Sequence, residues 1–502
     1  MTDIDTGSER RVSTGVVGLD RLLNGGLTPH RMYLVEGNPG AGKTTLAMQF
    51  LLEGRRQREA CLYVTLSETA AELNAVAASH GWSLEGIELF QLEPAEGLTS
   101  DDQYTLYHPA EVELGETVKA VLEVIERLRP ARVVFDSLSE MRLLARDPLR
   151  YRRQILALKE FFAGRACTVL LLDDHSSSDS DMQLRSIAHG VVLLEHMPFG
   201  YGRAGRRLRI VKVRGVEAFE GFHDFAVRKG GLTIFPEINP RADQPLAPSE
   251  PILSGVSELD ELLGEGVSWA TTTLIIGPAG AGKSTLAAQF ISATAATKPA
   301  ALFLFDEGRA TFTNRCDALG MGLSGQLERG HIVMRQIEPG ELSAGEFAFR
   351  VREAVDSANV RVVFIDTLNG YMSAFGPHDP ELTRLHELLS FLNGRGVATF
   401  ITVAQHGVIG SSMQTPIDIS YLADCVILLR FFEANGAVRR AMSVVKKRTG
   451  RHESTIREFQ IGPDRLRVGT ALTEFEGVLT GVPRYTGASV PLLQHADARR
   501  RQ

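Results

Sequence analysis

Cysteine is scarce in this chain, with four in 502 residues, at Cys61, Cys167, Cys316 and Cys425, and no two of them form a CxxC pair. That spacing excludes a disulfide framework and a zinc ribbon, and predicts small buried apolar side chains in a reducing compartment. Apolar runs approaching the roughly 18 residues of a membrane span are lacking. Residues 1–11 are polar and without an apolar centre, so they do not read as a signal peptide. Basic excess is lacking as well: 54 Lys and Arg against 61 Asp and Glu leave a net charge of −7. Sequence-independent nucleic-acid binding needs a basic footprint, so nucleic acid is not the expected partner. With 44% hydrophobic and 23% charged residues the chain is ordinary for a globular protein, neither disordered nor collagen-like. The expectation is a soluble, cytoplasmic protein of more than one domain, with no membrane partner.

The chain is a tandem repeat. GVVGLDRLL at 15–23 recurs as GVSELDELL at 255–263, and GAGKTTLAMQF at 40–50 recurs as GAGKSTLAAQF at 280–290, both at an offset of 240 residues. VVFDS around Asp136 is answered by VVFIDT around Asp366, and IVKVRG at 210–215 by VVKKRTG at 444–450. A unit of about 240 residues is a domain rather than a solenoid repeat. Residues 236–251 hold five of the 21 prolines. Such a stretch suits an extended linker better than a helix or a central strand. The expected organisation is a first domain at 1–238, a linker at 239–251, a second domain at 252–480, and a mobile tail at 481–502.

Within each copy, short β-branched runs alternate with helical patterns. Strands are expected at 32–35, 62–65, 133–135, 169–172 and 191–194, and at 274–276, 302–305, 362–365, 399–403 and 426–429. Helices are expected at 116–128 and 150–162. Runs apolar at successive positions suit parallel strands covered on both faces. The fold class is α/β, with two tandem domains, each a mostly parallel sheet flanked by helices.

Two segments fit the phosphate-loop pattern: Gly37-Asn38-Pro39-Gly40-Ala41-Gly42-Lys43-Thr44 and Gly277-Pro278-Ala279-Gly280-Ala281-Gly282-Lys283-Ser284. The glycines let backbone N–H groups curl around phosphate, the lysine reaches its terminal oxygens, and Thr44 or Ser284 offers a hydroxyl to Mg²⁺. Each loop follows a buried strand and opens a helix whose N-terminus favours anions. ATP and Mg²⁺ are therefore the expected ligands. Asp136 and Asp366 each end an apolar strand, where a Walker B carboxylate supports the metal; a strand-end or helix-capping acid is the structural alternative. Ser67-Glu68 and Asp306-Glu307 follow the next strand, where a carboxylate can polarise water or a hydroxyl in line with the γ-phosphate, or simply cap the following helix. Lys212 with Arg214, and Lys446 with Arg448, alternate along a late strand and so share one face. Such pairs neutralise phosphoryl charge across subunits in ring ATPases, or form a solvated basic face. His175, and His406 after Gln405, are candidate γ-phosphate sensors or ordinary strand-end residues.

In their order, Gly18-Leu19-Asp20, Gly25-Gly26-Leu27, both phosphate loops, VTLSET, HGWSL, IVKVRG, ADCVILL and IREF resemble the KaiC family of double-RecA-domain clock ATPases across residues 10–480. The resemblance implies a homohexamer of two stacked rings with ATP between subunits, an N-terminal ring that hydrolyses it and a C-terminal ring that autophosphorylates. It implies regulatory partners of the KaiA, KaiB or histidine-kinase type. It carries the family's paired catalytic glutamates onto Ser67-Glu68 and Asp306-Glu307. Serine in place of the first acid predicts slower turnover in copy one. The family's adjacent phosphosites fall on Ser420-Tyr421, retaining serine but not threonine, with Thr415 near a further family threonine.

The reading favoured by these residues is an ATP-hydrolysing hexamer with serine autokinase activity in the second domain and a signalling or timing role. A DNA-dependent RecA-type motor and a non-catalytic nucleotide-gated scaffold are the alternatives.

Overall fold

The computed structural model describes residues 11–91, 109–145, 147–174, 184–197, 205–237, 250–375, 379–405, 420–434, 436–462, 465–479 and 484–487. The chain divides into two compact units, Met1–Glu237 and Ile238–Gln502.

Among its described residues the first unit carries nine strands: β1 (Met32–Gly37), β2 (Cys61–Thr65), β3 (Glu88–Gln91), β4 (Arg132–Asp136), β5 (Thr168–Asp174), β6 (Gly190–Met197), β7 (Gly205–Val213), β8 (Phe222–Arg228) and β9 (Gly231–Phe235). They form one sheet in the order β3-β2-β4-β5-β1-β6-β7-β8-β9. Pairing is parallel from β3 through β6 and antiparallel from β6 to β9. The second unit repeats this with β10 (Thr272–Gly277), β11 (Ala300–Leu304), β12 (Ile332–Gln336), β13 (Val362–Asp366), β14 (Ala398–Ala404), β15 (Cys425–Ala434), β16 (Ala437–Lys447), β17 (Arg457–Ile461) and β18 (Leu466–Ala471). Its order is β12-β11-β13-β14-β10-β15-β16-β17-β18, strand for strand the same. The α/β class expected from the apolar runs is what the chain adopts.

Strand alternation sorts the core into two layers. On one face of the first sheet Tyr33, Tyr63, Val134 and Leu170 pack with Phe50 of the helix Lys43–Arg56. On the other, Leu34, Leu62, Val133 and Val169 pack with Ile125 and Ile155 of the helices Pro109–Leu128 and Pro148–Phe162. A strand with both faces covered must be apolar at every position, which is why these runs lack alternation. The second unit has the same two layers; Phe290 of the helix Lys283–Ala295 stacks on Phe400 with ring centroids 5.3 Å apart. All four cysteines are buried and unbonded. Burial pushes the thiol of Cys61 up to about 11 and those of Cys167, Cys316 and Cys425 to about 12.

The expected helices at 116–128 and 150–162 lie inside longer ones that begin at Pro109 and Pro148. The antiparallel strands β8, β9, β17 and β18 have no counterpart in the sequence reading, because their half-exposed faces interrupt the apolar runs. Arg484–Tyr485, within the stretch expected to be a tail, pairs with Phe475–Glu476. The proline-rich stretch 239–249, His175, His406 and Thr415 lie outside the described residues. Among the described residues no helix is long and apolar enough to cross a membrane.

Candidate functional site

The carboxyl ends of the parallel strands converge in each unit, the edge where open α/β sheets bind ligands. In the first unit β1 ends at Gly37 beside Asp174 of β5 and Leu194 of β6. A Cβ on Gly37 would lie 2.6 Å from the Leu194 carbonyl oxygen, and one on Gly277 would lie 2.7 Å from that of Leu429, so the loop can leave the sheet only from glycine. Gly42 and Gly282 stand at the N-caps of the two loop helices with φ of 108° and 100°, a left-handed conformation that opens the first helical turn toward the loop. A helix therefore starts at Lys43 and at Lys283, directly after each glycine-rich loop.

The hydroxyl and the strand-end acid meet in both units. Thr44 Oγ1 donates to Asp136 Oδ2 at 3.1 Å, and Ser284 Oγ donates to Asp366 Oδ1 at 2.9 Å. Tyr63 Oη also donates to Asp136 Oδ2, at 2.5 Å, and Thr402 Oγ1 donates to Asp366. Burial pushes both carboxyls above the usual carboxylate range, and these hydroxyls partly offset the shift. Neither acid caps a helix through these contacts. Hard oxygen donors, one hydroxyl and one carboxylate, are the protein ligands that suit Mg²⁺, which keeps most of its waters; the residues present fit that ion. Tyr63 and Thr402 went unnoticed in the sequence because each is an inward residue of an apolar strand.

The loop lysines are held differently. Lys43 Nζ donates to the Gly37 carbonyl at 2.7 Å and pairs with Asp174 Oδ1 at 2.7 Å. Lys283 Nζ donates to the Pro278 carbonyl at 2.9 Å, and burial holds it below the ordinary lysine range. Asp173 accepts from Arg142 and from Ser139 Oγ, the latter at 2.8 Å, while the second unit has Val403 and Ala404 at these positions.

The two candidate bases also differ. The helix-capping alternative falls away in the first unit, since Thr69 caps the helix Ala70–Ser79 in a capping box with Glu72. The N-cap of Arg309–Ala318 is Gly308. Glu68 has one buried carboxylate oxygen, Oε2, without a hydrogen-bond partner. Burial, with the Asp136 charge adding to it, pushes its pKa up. Glu307 is held by Arg315, with Nη2 2.6 Å from Oε2 and Nε 3.3 Å from Oε1. Asp306 accepts from Thr367 Oγ1 at 2.6 Å, and Ser67 is exposed.

The basic pairs lie at β-bulges. Lys212 opposes Val191 and Ile210 opposes Val192, so Val211 is an extra residue; Val445 is the extra residue before Lys446, which opposes Val426. Arg214 and Arg448 fall just past the ends of β7 and β16. Lys212 donates to the Arg185 carbonyl and Arg214 to that of Ser186 at 2.9 Å; Arg448 pairs with Asp424 at 3.3 Å. Ser420 opens the short 3₁₀ turn Ser420–Leu422, and Tyr421 beside it is exposed.

A family model described as "ATPase: KaiC" matches residues 12–239 and 252–472. The chain is 25% identical to "Circadian clock protein KaiC3" of Synechocystis sp., covering 97% of each chain. It is likewise 25% identical to "Circadian clock oscillator protein KaiC" of Parasynechococcus marenigrum, covering 94% of this chain and 93% of the relative. Two tandem copies of one ATPase unit, matched in register over nearly the whole chain, place this protein in the KaiC ATPase family.

Proposed function

We propose that both units bind Mg-ATP at their phosphate loops and that the chain acts as a homohexameric ATPase with a serine autokinase in its second unit. The observation that carries this reading is the hydroxyl–carboxylate pair beside each loop, Thr44–Asp136 and Ser284–Asp366, built twice at equivalent strand ends. Bound Mg²⁺ supplies charge neutralisation at the β- and γ-phosphates. Thr44, Asp136, Ser284 and Asp366 hold it, and Asn38, Pro39, Gly40 and Ala41, with Ala279, Gly280 and Ala281 in the second loop, shape the backbone cradle. Lys43 leaves Asp174 to reach the terminal phosphate oxygens; Lys283 does the same from Pro278.

In hydrolysis the oxygen of water attacks the γ-phosphorus, the bond to the β,γ-bridging oxygen breaks, ADP departs, and Glu68 takes the water proton. In the second unit the hydroxyl oxygen of Ser420 attacks in place of water, and Asp306 takes its proton. Lys212, Arg214, Lys446 and Arg448 steady the departing charge at the neighbouring subunit's nucleotide. Phosphate on Ser420 adds about −1.5 to −2 charge at pH 7, which changes what its loop attracts. The relatives' names connect such a protein to circadian timing, and a regulatory protein of the KaiA, KaiB or histidine-kinase type would read the phosphorylated state.

Incubation with γ-labelled Mg-ATP tests the reading, with light scattering for assembly and phosphosite mapping beside Ser420→Ala and Asp306→Asn. A hexamer that releases phosphate and carries label on Ser420 is expected. A monomer under saturating Mg-ATP removes the ring, label retained by Ser420→Ala removes the site, and turnover that appears only with DNA favours a motor instead.

A further inference from the structure

Glu68 and Glu307 occupy the same place in the repeat, one residue before the N-cap of the helices Ala70–Ser79 and Arg309–Ala318. They differ in what stands two turns further along. Arg315 in the second helix reaches back to both oxygens of Glu307, while the first helix has Val76 at that position. Arg315 also donates through Nη1 to Thr285, the residue after the candidate Mg²⁺ ligand Ser284. Glu307, Arg315 and the loop helix are therefore tied together, with the pair itself half-buried at 34% and 25% side-chain exposure. Among the described residues of the first unit nothing equivalent engages Glu68, whose Oε2 is buried and unpartnered.

A general base needs a lone pair free to take the proton. A carboxylate held by two guanidinium N–H groups has both oxygens engaged in a charge-assisted pair, the strongest class of protein hydrogen bond. Taking a proton would break that pair and leave Arg315 charged beside a neutral acid. Glu307 is thus a poor acceptor for a water proton, and Glu68 a good one.

We propose that Arg315 is a positioning residue that withholds Glu307 from water activation, so that the second unit retains ATP for the slower transfer through Asp306 while the first unit hydrolyses it. Ser67 taken alone argued for the opposite division; the Arg315 contact outweighs it, because the first carboxylate is dispensable where the second is free. The inference rests on the ATPase reading above and deepens it.

The test silences the first unit with Glu68→Gln and measures the remaining turnover. In that background Arg315→Gln and Arg315→Val should raise kcat at least about tenfold, with KM changed less than about twofold. Arg315→Lys, which keeps an ion pair to Glu307, should restore the low rate. The reciprocal change Val76→Arg, made with Glu68 intact, should lower the first unit's turnover at least about tenfold. Circular dichroism and melting identify any variant that fails to fold; if Arg315→Val does, Arg315→Gln and Val76→Arg decide. A folded Arg315→Gln with unchanged kcat overturns the inference, and so does an Arg315→Lys variant as fast as Arg315→Gln, which would mean that Arg315 acts only by packing. No turnover by the wild type at all removes the proposed function and this inference with it; turnover in the wild type with Arg315 variants that change nothing removes the inference alone.

Discussion

Lys43 of the first phosphate loop and Asp174 at the end of β5 form an ion pair of 2.7 Å across 131 residues of sequence, where the second unit has Ala404 in place of the acid. A nucleotide phosphate arriving at the first loop must take Lys43 from a carboxylate and then sit beside that carboxylate. With Asp174 at 47% side-chain exposure the pair is worth only about 0.5–1 kcal/mol. Asp174→Ala should therefore tighten ATP binding to the first unit about two- to fivefold. Titration of a fluorescent ATP analogue into a Lys283→Ala background measures this; weaker binding would instead make Asp174 a ligand of the nucleotide's metal shell.

Removing either loop lysine should empty its own unit but with unequal effect on turnover. Lys43→Ala should abolish most steady-state phosphate release, because Glu68 is the unclamped acid, whereas Lys283→Ala should abolish label on Ser420 and leave most release intact. Colorimetric phosphate release and autoradiography on the same preparations separate the two.

The pKa of Glu68 lies above the usual carboxylate range, first from burial and then from the Asp136 charge. A base works only when deprotonated, so turnover should rise with pH through this elevated value and fall off on the acid side sooner than an exposed glutamate would allow. The acid limb of kcat against pH should disappear in Glu68→Gln, which retains only residual activity.

Asp366 is 3% exposed, and burial raises its pKa. A carboxyl raised in the folded chain costs stability above its folded pKa, and the cost is relieved as pH falls through that value toward the unfolded one. Without nucleotide, Asp366→Asn should accordingly melt higher at pH 7 by about 2–4 °C for each ~1 kcal/mol relieved, with the gain shrinking in acid. The same variant should lose Mg²⁺-dependent ATP binding. Scanning calorimetry at two pH values checks the sign.

The parts of the site legible in the sequence are those whose partners are close in sequence or fixed by backbone shape. Gly42 and Lys43 announce a helix start, and Asp136 and Asp366 announce themselves as polar ends of apolar strands. Tyr63 donates to Asp136 from 73 residues away, and the Arg315–Glu307 clamp depends on which way one helix faces. No local pattern encodes either. The bulges at Val211 and Val445 were not legible either: each adds one residue just before Lys212 or Lys446 and so shifts the alternation relative to the earlier part of the strand, not within the pairs Lys212 with Arg214 and Lys446 with Arg448. The outer antiparallel strands β8, β9, β17 and β18 escaped notice because exposed positions such as Thr233 and Arg467 interrupt their apolar residues.

The buried cysteines turn the repeat into a reporter of its own opening. A thiol raised to about 11 or 12 carries almost no thiolate at neutral pH and is shut away from reagents, so alkylation must wait for the surrounding structure to open. Cys61 and Cys167 belong to the first unit, Cys316 and Cys425 to the second. Mass-resolved labelling therefore records two opening rates in one experiment, one for each nucleotide site, and the protection that ATP confers on each pair gives the occupancy of that site without any engineered probe.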